Sequence, residues 1–285
     1  MKTRKRELFA GYKRLYAITE ITMITPIDNN LDESKIWLHR YMPLNDLKYW
    51  FNEKKFFLNF TRMEFFDDIL EGWGNEFPEL KIAWRDFLDY SKRVKDDTGE
   101  VEAGKYLISK IVNFHGDFDK KNVIYQIEKY IELIESNFVS CWFVSDSDLD
   151  EKRYMWDIYG KASQESGAFK LSIKWEDLKK ALTKSNKKFI YGKINYDDKI
   201  IKNALFNKDY SYIHENEFRI ISKEFTDDYN SFLIESNIKK TITLKGSISN
   251  KYDEFINSVI NDKYDKIKHS DLPMQWKLRE IKGFL

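Results

Sequence analysis

Hydrophobic and polar positions change period along the chain, and the changes mark its elements. Ile36-Trp-Leu-His-Arg-Tyr41 alternates. It predicts a strand with Ile36, Leu38 and Arg40 on one face and Trp37, His39 and Tyr41 on the other, ended by Pro43. Leu44, Leu47 and Phe51 then space a short helix over 44–52, and Lys55–Phe60 reads as a second strand. Between residues 76 and 136 the pattern is helical throughout. Leu80, Trp84, Phe87, Leu88 and Val94 form one stripe, Val101–Val112 a second, and Val123, Ile127, Tyr130, Ile131 and Ile134 a third over Lys120–Glu135. Asp96-Asp-Thr-Gly99 and His115-Gly-Asp117 are turns between them.

Strand patterns return at Phe138–Val144, Ala168–Ile173, Phe189–Tyr196, Tyr210–Ser222, Thr241–Leu244 and Tyr264–Lys268. Short helices are expected around Trp156 and Tyr159, over Trp175–Leu182, near Ile200–Phe206 and over Tyr252–Ile260. Before residue 35 the chain yields only a helix over Glu7–Glu20 and a turn at Pro26–Asn30; from Ser270 it reads as a polar tail with Trp276 packing back. The expectation is one α+β domain over 1–285. It has a mixed, split or half-barrel sheet and an all-helical lobe inserted at about 74–136.

Composition narrows the chemistry. The 285 residues are 42% apolar and 33% charged, the profile of a soluble globular chain. The net charge of +1 gives no bulk field toward nucleic acid or an anionic surface. A single cysteine, Cys141, excludes internal disulfides and a cysteine zinc cluster and fits a reducing cytoplasm. No apolar stretch approaches bilayer length, and the basic start is followed by no apolar signal core, so no membrane role is expected. Eleven glycines without a clustered pair argue against a phosphate loop. The four histidines, His39, His115, His214 and His269, lack ligand spacing.

Four groups of residues carry candidate chemistry. In Tyr210-Ser-Tyr-Ile-His-Glu-Asn-Glu-Phe-Arg-Ile-Ile-Ser222, strand alternation puts Glu215, Glu217 and Arg219 on one face. Like-signed carboxylates there are costly unless they serve chemistry or pair across strands. Arg40, mid-strand on a face with Ile36 and Leu38, needs an anionic partner: a carboxylate of the chain or a bound phosphate. Asp67, Asp68 and Glu71 are dense enough to hold magnesium, or simply start a helix. Trp156 and Tyr159, three apart on a helix, form an aromatic wall or core packing.

The order of Trp37-Leu-His-Arg-Tyr41, Phe57-Leu-Asn-Phe60, Phe66-Asp-Asp-Ile-Leu-Glu71, Ser140-Cys-Trp-Phe143, Met155-Trp-Asp-Ile-Tyr159, Gly167-Ala-Phe-Lys-Leu171, His214-Glu-Asn-Glu-Phe-Arg219 and Ile242-Thr-Leu-Lys-Gly246 resembles a bacterial domain-of-unknown-function family found near phage-defence genes. Asp67 and Ile69 depart from that family's usual Asn and Pro. A first strand with His or Arg and a late Glu-x-Glu strand is also similar to the ADP-ribosyltransferase pattern, although its Ser-Thr-Ser is missing. That resemblance implies NAD as substrate, Glu217 as catalytic carboxylate and Glu215 as its partner. It places Arg40, Tyr41, Ser140, Trp156, Tyr159 and Arg219 around the cofactor. A protein or nucleic-acid acceptor, a defence-system partner and a toxin's role are its further implications. A non-catalytic sensor and a metal-dependent nuclease built on Asp67, Asp68 and Glu71 are the alternative classes.

Overall fold

The computed structural model describes residues 24–26, 32–66, 132–160, 167–196, 204–208, 210–225, 229–234, 237–245 and 265–270, with isolated helical positions at 125, 129 and 256–257. The acidic cluster Asp67, Asp68 and Glu71, most of the expected helical lobe, the Glu7–Glu20 helix, most of the Tyr252–Ile260 helix and Trp276 lie outside these residues. Where the third helical stripe is described, at Tyr125, Lys129 and 132–136, it is helical.

The chain divides into two compact units: Met1–Glu20, Arg62–Asn137 and Ile194–His214 in one, Ile21–Thr61, Phe138–Lys193 and Glu215–Leu285 in the other. In the first, Asn137 accepts the Met63 amide at 3.0 Å, and Asn195 and Asn207 form a parallel bridge beside buried Leu205 and Phe206.

The second unit is built on a curled, half-barrel mixed sheet, and the class is α+β. Its strands are β1 (Ile24–Pro26), β2 (Trp37–Pro43), β3 (Phe51–Asn52), β4 (Lys55–Arg62), β5 (Phe138–Ser145), β6 (Ala168–Lys174), β7 (Phe189–Lys193), β8 (Glu217–Ser222), β9 (Tyr229–Ile234), β10 (Lys240–Lys245) and β11 (Asp265–His269). The order is β1-β7-β8-β5-β2-β6-β10-β11, with β4 joining β5, β3 and β9. The β2–β5 ladder covers only Trp37–His39, whereas β2 pairs with β6 from Trp37 to Pro43. Beyond His39 the sheet therefore parts between β2 and β5.

Cross-strand register defines two faces. One carries Leu38, Met42, Trp142, Val144, Phe169, Leu171, Ile173, Tyr191, Phe218, Ile220, Ile242 and Leu244, all buried in one cluster. The helix α3 (Trp175–Thr183) closes over it, burying Leu178, Ala181 and Leu182 at helical spacing; Trp175 packs 4.6 Å from the Tyr191 ring and 4.9 Å from Phe218. The other face is more polar: His39, Tyr41, Phe143, Lys170, Ser172, Glu217, Arg219, Thr241 and Thr243. Here α2 (Arg153–Ile158) lays Met155 and Trp156 against Tyr41, Phe143 and Ala168.

Several expectations are corrected. The helix after Pro43 stops at Trp50, as the one-turn α1 (Leu47–Trp50), and the chain reverses through Glu53 and Lys54 at φ 48° and 63° into β4. A two-residue hairpin normally places Gly or Asn at such positions, so pattern alone misses it. The strand expected from Tyr210 begins only at Glu217, because Tyr210–Glu215 is a 3-10 turn. Asn216, at φ 41°, ends that turn; its side-chain amide donates to the Val144 carbonyl at 2.6 Å, and its carbonyl accepts the Val144 amide at 3.0 Å. These bonds to β5, from a residue distant in sequence, override the alternation of Tyr, Ser and Ile. β9 carried no expectation, and β1 ends on Pro26, where the turn was expected to begin.

Candidate functional site

Arg40 leaves β2 beside Leu38 and Met42, and its guanidinium lies 5.1 Å from the Trp50 ring centroid. Nη1 donates to the Cys141 carbonyl at 2.7 Å. That carbonyl lies just past the end of the β2–β5 ladder, so the guanidinium stands where a strand partner would have donated. Burial pulls the Arg40 pKa down, while Cys141, Glu217, Asp46 and Tyr159 pull it up; all four therefore lie within reach of its charge. Arg40 and Glu217 start from opposite faces of the sheet by alternation, yet the Glu217 charge raises the Arg40 pKa.

Glu217 opens β8 and pairs with Phe143, which pairs with His39. Its carboxylate is held from two residues along the same strand face: Arg219 Nε donates to Oε1 at 2.7 Å and Nη2 to Oε2 at 3.4 Å. Both residues are buried. A buried arginine demands such an anion, and the fork fixes the carboxylate's plane.

Glu215, on the turn rather than the strand, is buried and accepts a hydrogen bond from the Tyr159 hydroxyl at 2.5 Å. Tyr159 caps α2, its amide donating to Met155 at 3.0 Å. Gly160 follows with an amide bond to the same carbonyl at 3.2 Å, and a Cβ there would meet the Trp156 carbonyl at 2.8 Å. Glycine is thus required for the close turn that presents Tyr159, which remains 40% exposed. Tyr154 is nearby: burial raises its pKa first, then the charges of Asp150 and Glu215.

Five of the candidate residues, Arg40, Glu215, Glu217, Arg219 and Tyr159, form this charge cluster. Three others are packed away from solvent. Ser140 is fully buried and accepts from Trp142 Nε1 at 3.1 Å. Trp156 is fully buried, edge-on to Tyr41 with centroids 4.9 Å apart, and donates to Glu151 at 3.2 Å. The Tyr41 hydroxyl accepts the Lys152 amide at 3.0 Å, and burial lifts its pKa well above the ordinary tyrosine value.

Sequence reasoning missed His39 and Lys170. His39 is fully buried between Ser172 Oγ on Nδ1 and Ser145 Oγ on Nε2, both at 2.8 Å. Ser145 gives its proton to the Ser147 carbonyl, so it accepts from Nε2–H and leaves Nδ1 to accept from Ser172. Burial first, then the charges of Lys170 and Lys152, push His39 down to about 3. Its signal in the sequence is its place on the Tyr41 face of β2. Among the described residues no group of three or more His, Cys, Asp or Glu could hold a metal ion, and no helix is long and apolar enough to cross a membrane.

No protein-family model, curated protein or solved structure matches this chain.

Proposed function

We propose that this chain consumes NAD, as an ADP-ribosyltransferase-like or NAD glycohydrolase-like enzyme, and that it acts as a cytoplasmic phage-defence toxin. The observation that carries the reading is the adjacency of β8, β5 and β2, which brings Glu217 and Arg40 from distant parts of the chain within reach of each other's charge. Support also comes from Tyr159, exposed beside Glu215. In this reading Arg40 takes the anionic phosphates. The bond from the ribose C1′ to nicotinamide breaks, nicotinamide leaves as a neutral base, and Glu217 stabilises the positive charge on the sugar. An acceptor hydroxyl or water attacks C1′ and passes its proton to Glu215. Tyr159 orients Glu215 and flanks the ring. Arg219, fully buried, holds the Glu217 carboxylate in plane; Ser140, Tyr41 and Trp156 support the scaffold beneath.

A sensor of a phage component or nucleotide, or of a defence partner protein, is the second reading. The observation favouring it is that both carboxylates already have a donor within the chain. Nicotinamide release from NAD by purified protein separates the two: the enzyme releases it in the presence of EDTA, and the sensor releases none. EDTA-sensitive nucleic-acid cleavage would instead point to Asp67, Asp68 and Glu71.

A further inference from the structure

The segment 146–152 between β5 and α2 forms a strap over the polar face of the sheet. Its hold is almost entirely polar. Lys170, fully buried on β6, donates to the Asp150 carbonyl at 2.8 Å and the Asp148 carbonyl at 3.3 Å. Lys268 of β11 pairs with the Asp148 carboxylate at 3.2 Å, and Thr241 of β10 donates to it at 3.5 Å. Ser270 and Trp156 donate to Glu151, and Tyr41 accepts from the Lys152 amide. The strap's apolar residue, Leu149, is 64% exposed and anchors nothing. Beneath lie Thr243 and Lys245, both buried, the latter with its ammonium 5.4 Å from the Trp156 ring.

We propose that the floor formed by Lys170, Lys268 and Thr241 is a binding site for a phosphate-type oxyanion, and that the Asp148 carboxylate occupies it in the resting chain. The geometry is that of an anion site with the anion supplied internally: the Lys268 ammonium and the Thr241 hydroxyl converge on the Asp148 carboxylate, and the Lys170 ammonium donates beside them to the Asp148 and Asp150 carbonyls. Lys170 donates to carbonyl oxygens, and burial pushes it down to about 8 despite the charges of Glu151, Asp150 and Asp148, with Lys268 pushing the same way as burial. A doubly charged oxyanion would serve that buried ammonium better than a carbonyl does. A strap without an apolar anchor opens locally at little expense. Because it runs directly into α2, its opening reaches Tyr159 and Glu215.

The test is hydrogen exchange of the 146–152 peptide in the full chain, titrated with inorganic phosphate and separately with ADP, against sodium chloride at matched ionic strength. Exchange is expected to rise at least 5-fold with the oxyanion. Asp148→Asn should lower the half-effective concentration about 10-fold, and Lys268→Gln should abolish the response. Response to both anions assigns the site to free phosphate-type ions, and response to ADP alone assigns it to a nucleotide's phosphates. No response of the wild-type chain to either, or an equal response to chloride, overturns the proposal; Asp148→Asn is read only if it keeps the wild-type near-ultraviolet dichroism, and otherwise a Lys268→Gln chain that responds like wild type overturns it.

Discussion

Acid should unfold this protein through His39. The imidazole is neutral in the folded chain, its Nδ1 already accepting from Ser172, and a proton there would create a buried cation beside Lys170 and Lys152. Folded His39 titrates at about 3 and the free side chain at 6.5. Between those values the unfolded chain binds the proton and the folded chain does not, so stability falls as pH falls. From pH 7 to pH 5 the difference amounts to about 2 kcal/mol, working from roughly 1.4 kcal/mol per pH unit below the unfolded pKa. His39→Gln cannot titrate but can still bond both serines, so it should be less stable at pH 7 and lose about 2 kcal/mol less than wild type on going to pH 5. Urea unfolding of both proteins at the two pH values, followed by tryptophan fluorescence, reads this directly. Equal losses in the two proteins would refute the buried neutral histidine.

Further outcomes are expected of the same face. Arg219→Met should destabilise by roughly 3–5 kcal/mol by stranding the buried Glu217 carboxylate, and Glu217→Leu in the same chain should recover much of it; urea midpoints of the single and double variants check this. Lys170 titrates at about 8 folded against an ordinary 10.5, so from pH 8 to 10.5 the unfolded chain holds a proton the folded one has shed. Thermal melts should therefore show stability contributed by this residue rising over that window, and Lys170→Met should flatten the rise. Trp156→Ala should cost roughly 3–5 kcal/mol as a core truncation, read as a lower melting temperature with or without NAD present.

The strands with strong alternation were legible in the sequence. β2, β4, β5, β6 and β10 appear within two residues of their expected bounds because aromatic and β-branched residues recur with period two. The Glu217/Arg219 pair was legible for the same reason. Where a left-handed backbone turn interrupts the chain, pattern failed. The Glu53–Lys54 hairpin has no Gly, and the 3-10 turn before Glu217 mimics a strand until Asn216 turns left-handed. β1 and β9 are made strands by their neighbours β7 and β4 rather than by their own residues. Burial was the harder quantity. Lys170 and His39 look like surface residues of alternating strands, and only the strap and α2 laid over them from elsewhere in the chain make them interior.

The pairing of Arg40 with Glu217 as an NAD-cleaving centre is tested most directly by nicotinamide release from NAD, measured for wild type and Glu217→Gln at equal folded concentration. The account predicts steady release by wild type and at least 100-fold less by Glu217→Gln, with far-ultraviolet dichroism unchanged. Release at the same rate by both proteins, or by neither, would contradict it.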